Sequence, residues 1–314
     1  MDKIAVIGSG ISGLSTAYKL SEAGFAVDII ASQFPPDTTS NKAAAFWFPY
    51  HVRNFERALL WAKKSYDVYQ QLSNVEGTGI SIKQLIKVVE NLEEEDISWM
   101  QFLPEGSYKK LPEDKIPHGF VFGYEIDVPL IETQIFLPWL MQKVKDRKVS
   151  FIKRAIRSFY DLSNQYDWII NCTALGSRQL CNDESIYPIR GQVALIEPDE
   201  SLPIFLHNTQ PFYIVPRKDA TIIGGTFEEY QTETTTNSAT LEGLHRQAIS
   251  IFPQLKNTTI KGSWAGLRPF RKEIRLEKEP GQHIIHNYGH GGSGFTVAWG
   301  CAEEVLSMVE HNKL

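Results

Sequence analysis

At 314 residues, with 42% hydrophobic and 22% charged positions, the chain has an ordinary globular composition and enough length for two domains or one large one. Its net charge of -5 includes no basic block, which argues against a nucleic-acid partner, and no apolar run reaches the ~20 residues that cross a bilayer. Residues 1–8 are too soon broken by glycine for a signal peptide, and Cys172, Cys181 and Cys301 lack a paired spacing, as expected of reduced, buried thiols. These features point to the cytoplasm; the final Asn-Lys-Leu only half matches a peroxisomal tail.

Ile4 to Ile7 reads as a buried strand, followed by Gly8-Ser9-Gly10-Ile11-Ser12-Gly13, a helix from Leu14 to about Ala23, and a second strand from Ala26 to Ala31. Strand, Gly-x-Gly-x-x-Gly, helix and strand make a dinucleotide-binding unit. Gly8 supplies the tight turn, Gly10 the close approach of a pyrophosphate, and Gly13 the packing of helix on strand. An acidic residue for the adenosine ribose is expected about twenty residues past the glycines. The strand ends instead at Ala31-Ser32-Gln33, so Ser32 would bond a ribose hydroxyl without charge assistance. No arginine stands nearby to favour a 2′-phosphate.

Thr38, Thr39 and Ser40 lead through Ala43, Ala44 and Ala45 into Phe46-Trp47-Phe48-Pro49-Tyr50. The hydroxyls could line a pyrophosphate and the alanines admit a flat ring; equally, the segment fits a capped helix start with an aromatic core patch. The spacing predicts helices from Arg53 to Leu72 and Glu93 to Met100, and a strand from Ser81 to Val89. An irregular excursion, Pro104 to Gly123, precedes a helix from Val128 to Asp146 that tolerates Pro138 with a kink. Strands follow at Val149 to Ile156 and Asp167 to Thr173, the latter opening into Ala174-Leu175-Gly176 beside a nucleotide site. A β-rich region begins at Arg190-Gly191-Gln192 and includes Phe212 to Pro216 and Thr221 to Gly225. A helix from Ala239 to Leu255 then precedes Trp264 to Arg271.

Near the end, a short apolar strand beginning Ile284-Ile285 runs into Gly289, Gly291, Gly292 and Gly294, and an amphipathic helix follows from Phe295. Glycines ahead of a helix N-terminus suit an electron-rich group, a phosphate or an anionic ring edge. His286 and His290 with Cys301 suggest zinc at first sight. Metal pairs at i, i+4 sit on helices, however, and a glycine turn intervenes, so both histidines read as loop packing and no metal is expected. Taken alone, Arg268 would be a solvated strand residue, Arg271 and Arg275 surface ion pairs, and Tyr213 a core aromatic with a satisfied hydroxyl.

Gly8 to Gly13, Thr38 to Tyr50, Asn171-Cys172-Thr173, and the C-terminal pair Gly-Leu-Arg-Pro-Phe-Arg and Ile-His-Asn-Tyr-Gly-His-Gly-Gly together resemble the D-amino-acid oxidase family. The resemblance implies an α/β fold: a Rossmann-like FAD-binding domain assembled from discontinuous segments (1–75, 126–188 and 281–314) plus an α+β substrate-binding domain (76–125 and 189–280) with a large mixed or antiparallel sheet. It implies non-covalent FAD, with Gly8 to Gly13 on the pyrophosphate. Ala44, Ala45, Phe46, Gly289, Gly291, Gly292, Ser293 and Gly294 would surround the ring, Thr296 would meet its pyrimidine end, and Ile156 and Thr173 the adenosine. Arg268 would clamp a substrate carboxylate through two parallel bonds, Tyr213 would add a hydroxyl, and the Gly292 carbonyl would accept from the amine. Phe46, Phe48 and Val215 would complete the pocket.

Departures from the family narrow the expected substrate. Asn208-Thr209-Gln210-Pro211 lacks the second tyrosine often found before Tyr213, Phe46 and Phe48 stand where Leu and Gln are common, and no arginine lies between Gln192 and Tyr213. The expectation is oxidation of neutral, bulky apolar or aromatic D-amino acids with molecular oxygen as acceptor, and a homo-oligomer is left open. The alternatives are an unusual or N-substituted amino acid with another acceptor, or a non-catalytic flavin-binding relative. A nicotinamide dehydrogenase would explain the first glycine loop but not the last.

Overall fold

The computed structural model describes residues 2–49, 56–91, 97–207 and 210–311. In chain order the first elements are β1 (Lys3–Ile7), α1 (Ile11–Glu22), β2 (Ala26–Ala31), α2 (Glu56–Leu72), β3 (Ile80–Val89), β4 (Tyr108–Lys110), β5 (Phe122–Ile131), α3 (Thr133–Asp146), β6 (Ser150–Lys153) and β7 (Trp168–Asn171). Then come α4 (Ser177–Leu180), β8 (Tyr187–Ile196), β9 (Ile204–His207), β10 (Tyr213–Pro216), β11 (Thr221–Gly224), β12 (Glu228–Glu229), α5 (Ser238–Ile251), β13 (Gly262–Lys278), β14 (Ile284–His290) and α6 (Gly294–His311).

Among the described residues the strands form one mixed sheet in the order β4-β5-β3-β9-β10-β11-β8-β13-β14-β7-β1-β2-β6, with β12 on β8. From β14 to β6 all neighbours run parallel. The residues of β14, β7, β1 and β2 are buried almost without interruption because both faces are covered: α1 and α6 lie on one, and Leu162 and Tyr166 on the other; β6, at the edge, is largely exposed. Beyond β13 the pairing is antiparallel, except between β3 and β9. β13 joins the two patterns. Gly262 to Phe270 pair with β8, and after a register shift between Phe270 and Arg275 the strand pairs with β14.

Helices α1 and α2 flank α6. Ser65 Oγ accepts from the N–H groups of Trp299 and Gly300 at 3.1 Å each, Tyr69 donates to the Phe295 carbonyl at 3.0 Å, and Trp47 Nε1 donates to the Ala62 carbonyl at 2.8 Å. No described helix is long and apolar enough to cross a membrane.

The structure corrects several expectations. Val128 to Ile131 lie in β5, not in a helix: they pair with Lys83 to Ile80 of β3, and α3 starts only at Thr133. A helix from Val128 would have held both Pro129 and Pro138; in the strand, Pro129 needs no N–H and its carbonyl accepts from Trp47 N at 2.8 Å. The excursion before it contains strand β4 and a 3₁₀ turn, Glu113–Lys115. The helix expected to Leu255 stops at Ile251, with a 3₁₀ turn from Pro253. Residues 53–55 and 93–96 of two expected helices lie outside the described residues; the second leaves a 3₁₀ turn, Ser98–Phe102.

Two further expectations concern side chains. Arg275 is largely enclosed, donating to Tyr288 Oη at 2.9 Å, Glu277 at 2.7 Å and Glu279 at 2.9 Å. Arg271 donates to Asp183, buried behind β14, at 3.0 Å. Cys172 and Cys301 are buried as expected, but Cys181 is only partly so; all three are free thiols.

The contact between α2 and α6 yields a prediction. A Cβ on Gly300 would lie 2.3 Å from Trp61 Cα and 2.4 Å from its carbonyl oxygen, and backbone cannot step aside as a side-chain tip can. Gly300→Ala, which in an open helix gains about 1 kcal/mol, is therefore expected to destabilise by about 1–3 kcal/mol, measured as a lower urea midpoint.

Candidate functional site

The parallel strands β1, β7 and β14 all end at one edge of the sheet, and their following loops meet there. Gly8 ends β1 at φ +110°, where a side chain is strained, and a Cβ on it would stand 2.4 Å from the Cys172 carbonyl oxygen. Helix α1 starts after Gly10 without a local side-chain cap. Its first N–H is satisfied from a distance: Ile11 N donates to Ser40 Oγ at 3.0 Å. Ser12 Oγ lies 3.3 Å from His290 Nδ1, so the first and last glycine loops touch.

A cleft open to solvent runs along these loops. The first turns of both α1 and α6 face it, through Ile11 and Ser12 and through Gly294, Phe295 and Thr296, and neither turn contains an acidic residue. Two positive helix ends therefore open on one cavity. Its far wall is aromatic and apolar: Phe46, Phe48, Tyr213, Phe227, Leu206 and Val193. Tyr213 meets Phe46 edge-on at 6.4 Å between ring centroids, and its ring lies against Gly224, where a Cβ would fall 2.3 Å from Cζ.

Arg268 projects from β13 into this end of the cleft. Its guanidinium lies against Gly191, where a Cβ would fall 2.3 Å from Nη2, and Nη1 donates to the Thr226 carbonyl at 3.0 Å. Behind it stands Glu228. Burial raises the Glu228 carboxyl, but hydrogen bonds from Thr226 and Gln192 and the charges of Arg190 and Arg268 outweigh this and hold it below its usual value.

The structure brings Gly10, Ile11, Ser12, Thr39 and Ser40 to one end of the cleft and Phe46, Phe48, Tyr213 and Arg268 to the other, with Ala44, Ala45, Gly291, Gly292, Gly294 and Thr296 also on its wall. Other candidates stand behind or beside that lining. Ser9 Oγ donates to the Gln33 carbonyl, Thr38 Oγ1 donates to Asn41 Oδ1 at 2.7 Å, and Gly13 and Gly289 support the turns. Ser293 is buried. Ser32 is exposed at the end of β2, Ile156 packs beside the core under β7, and Thr173 Oγ1 donates to Asn171 Oδ1 at 2.8 Å.

One assignment changes. Val215 is fully buried in the main core rather than lining the pocket. The Thr296 hydroxyl donates to the Phe48 carbonyl at 2.7 Å, so its proton ties α6 to the aromatic segment, while Thr296 itself stays on the cleft wall. Residues 208 and 209, where the second tyrosine is missing, lie outside the described residues.

Lys42 and His290, absent from the sequence-based candidates, also line the cleft. Lys42 is exposed, with its ammonium 6.0 Å from the Trp264 ring centroid. The sequence alone reads His290 as loop packing, although its position between two glycines of the loop is a usable signal. Asn287 Nδ2 donates to Thr16 Oγ1 at 3.2 Å, which leaves Asn287 Oδ1 to accept from His290 Nε2 at 3.0 Å. The network therefore assigns a neutral His290 whose Nδ1 accepts from Ser12, and burial lowers its imidazole to about 4. His286 is equally buried, bonded to Glu279 at 2.8 Å.

Residues 3–308 match the family model described as FAD dependent oxidoreductase. A D-amino-acid oxidase of Rubrobacter xylanophilus is 33% identical over 312 residues, covering 98% of this chain and 95% of the relative. Glycine oxidase from Geobacillus kaustophilus superposes with a TM-score of 0.82 at 16% identity, over 99% of this chain and 95% of that one. L-proline dehydrogenase from P. horikoshii does so with a TM-score of 0.82 at 16% identity, over 99% and 94%. At such identity these two structures establish the shared fold.

The buried His290 fixes a pH dependence. Its folded pKa, about 4, lies below the 6.5 of an exposed imidazole, so the unfolded chain takes up the proton first as pH falls. This contribution is intact above pH 6.5 and is lost progressively down to about pH 4, by on the order of 3 kcal/mol. His290→Gln removes it, so the stability difference between wild type and variant, from urea unfolding at several pH values, is expected to shrink across that window.

Proposed function

Since the chain belongs to the FAD-dependent oxidoreductase family, we propose that it oxidatively deaminates neutral, bulky apolar or aromatic D-amino acids to a 2-oxo acid, ammonia and hydrogen peroxide. FAD is the cofactor of this family, and the cleft suits it. Two helix N-termini without acidic residues face an elongated cavity, one set to meet a pyrophosphate and the other the electron-rich edge of a ring. Residues Gly10 to Ser12 with Thr39 and Ser40 would hold the phosphates, and Ala44 to Phe46 with Gly291 to Gly294 the ring. When bound, FAD accepts a hydride from the substrate's α-carbon, chemistry for which the protein has no group of its own.

The observation that carries the substrate class is Arg268. Its guanidinium faces the cleft with the Thr226 carbonyl on Nη1 and no ion pair among the described carboxylates, while an aromatic wall stands beside it. A planar fork in that position binds a carboxylate in two parallel bonds and fixes its direction. Tyr213 supplies a hydroxyl toward the same group, and the Gly292 carbonyl would accept from the amine. Phe46, Phe48 and Leu206 exclude water and take an apolar side chain. The D configuration rests on the 33% identical D-amino-acid oxidase.

A second reading, electron transfer to an acceptor other than oxygen, draws on the resemblance in fold to both an oxidase and a dehydrogenase: architecture does not select the acceptor. We also propose two units, a FAD-binding one from 1–75, 126–188 and 281–314 and a substrate-binding one from the rest. The cut at 125 falls inside β5, so the boundary is better drawn at its end, residue 131.

Purified protein is expected to be yellow, to bleach anaerobically with D-Phe or D-Met but not the L forms, and to recolour in air with one peroxide per substrate. Recolouring only with a quinone would select the second reading. Arg268→Ala leaves the substrate carboxylate unpaired and is expected to lower kcat/KM by ~3–5 kcal/mol of transition-state stabilisation. Normal turnover by that variant would remove the clamp.

A further inference from the structure

The turn between β10 and β11 holds a guanidinium that the account above does not use. Arg217 is 2% exposed. Its Nε donates to Asp219 Oδ1 at 2.8 Å, and its Nη2 pairs with the other oxygen of the same carboxylate. The remaining nitrogen, Nη1, points elsewhere. It donates to the Ala44 carbonyl at 3.0 Å, to Thr133 Oγ1 at 3.1 Å and, at longer reach, to the Ala43 carbonyl at 3.5 Å. Trp264 Nε1 secures the preceding Lys42 carbonyl at 2.9 Å, and the Arg217 guanidinium lies 5.8 Å from that indole. Three successive carbonyls of the cleft-lining segment are thus held by side chains from the substrate-side strands and the start of α3.

We propose that Arg217 is a positioning residue for FAD: Asp219 aims its fork, and Nη1 fixes the Ala43–Ala44 backbone on which the ring rests. This relies on the reading that Ala44 to Phe46 lie against the ring. A purely structural role would ask only for buried volume and a partner for Asp219. It would not require the nitrogen left over by Asp219 to meet two carbonyls of a segment more than 170 residues away in sequence. The geometry also permits a clean test. The Asp219 side chain is 43% exposed, so water can solvate its carboxylate once the arginine is gone, and no charge is stranded in the core.

The test uses full-length flavoprotein diluted into cofactor-free buffer, with FAD release followed by flavin fluorescence and bound-cofactor orientation by visible circular dichroism. Arg217→Met keeps the length and loses the donors; it is expected to release FAD roughly ten- to a hundredfold faster and to change the visible spectrum, as loss of one or two charge-assisted bonds implies. Arg217→Lys, with one cationic donor restored, is expected to fall between it and wild type. Ile214→Ala, on β10 but buried in the separate core on the other face, controls for loss of stability. Equal release by Arg217→Met and wild type would overturn the proposal, as would Ile214→Ala matching Arg217→Met at equal distance below their melting temperatures. Wild-type protein that neither carries nor takes up FAD would overturn the proposal together with the cofactor reading beneath it, an outcome distinct from the other two.

Discussion

The bulge in β13 is the constraint on which the site depends. Up to Phe270 the strand follows β8 residue for residue, and from Arg275 it follows β14. Without that shift, one strand could not serve both an antiparallel sheet and the edge of a parallel one. Because it does, Arg268 on the antiparallel side comes close to the loop after β14, with Phe270 paired directly to His290. A side chain able to steer an acid group and a backbone able to meet a cofactor are therefore set on adjacent strands, where rigid hydrogen bonding fixes their separation.

Around this join, distant segments complete one another's hydrogen bonds. Ser40 caps a helix that begins 29 residues earlier, Ser12 meets His290 across 278 residues, and Thr296 binds Phe48 across 248. Each bond satisfies a group that local structure leaves open, and each lies on or just behind the cleft wall. The two helix ends that face the cavity carry no side-chain anion in their first turns, which leaves their positive ends for a ligand.

Much of this was legible in the sequence where local chemistry dictates structure. The strand, glycine turn and helix at the start, the glycine-rich loop near the end and the buried parallel strands each follow from short-range pattern. Legibility failed where partners far along the chain decide. Val128 to Ile131 looked helical because apolar residues run on into α3, yet pairing with β3 and with Trp47 holds them extended. Val215 shares an alternation with Tyr213 but is covered by the core, and the Thr296 hydroxyl is taken up by a carbonyl no local rule could name. Arg275 reads as a surface ion pair, and nothing local singles out Arg217; the enclosure of both depends on acceptors supplied by distant segments.

The position of β14 has a consequence for how the molecule is made. Among the described strands it comes last in the chain, yet it lies in the middle of the sheet, between β7 and β13. Until it arrives, the nascent chain holds two unjoined half-sheets, each with a bare apolar edge of the kind that templates aggregation. The sheet therefore closes only when β14 inserts, and loss of that strand removes a keystone from the interior rather than trimming an edge.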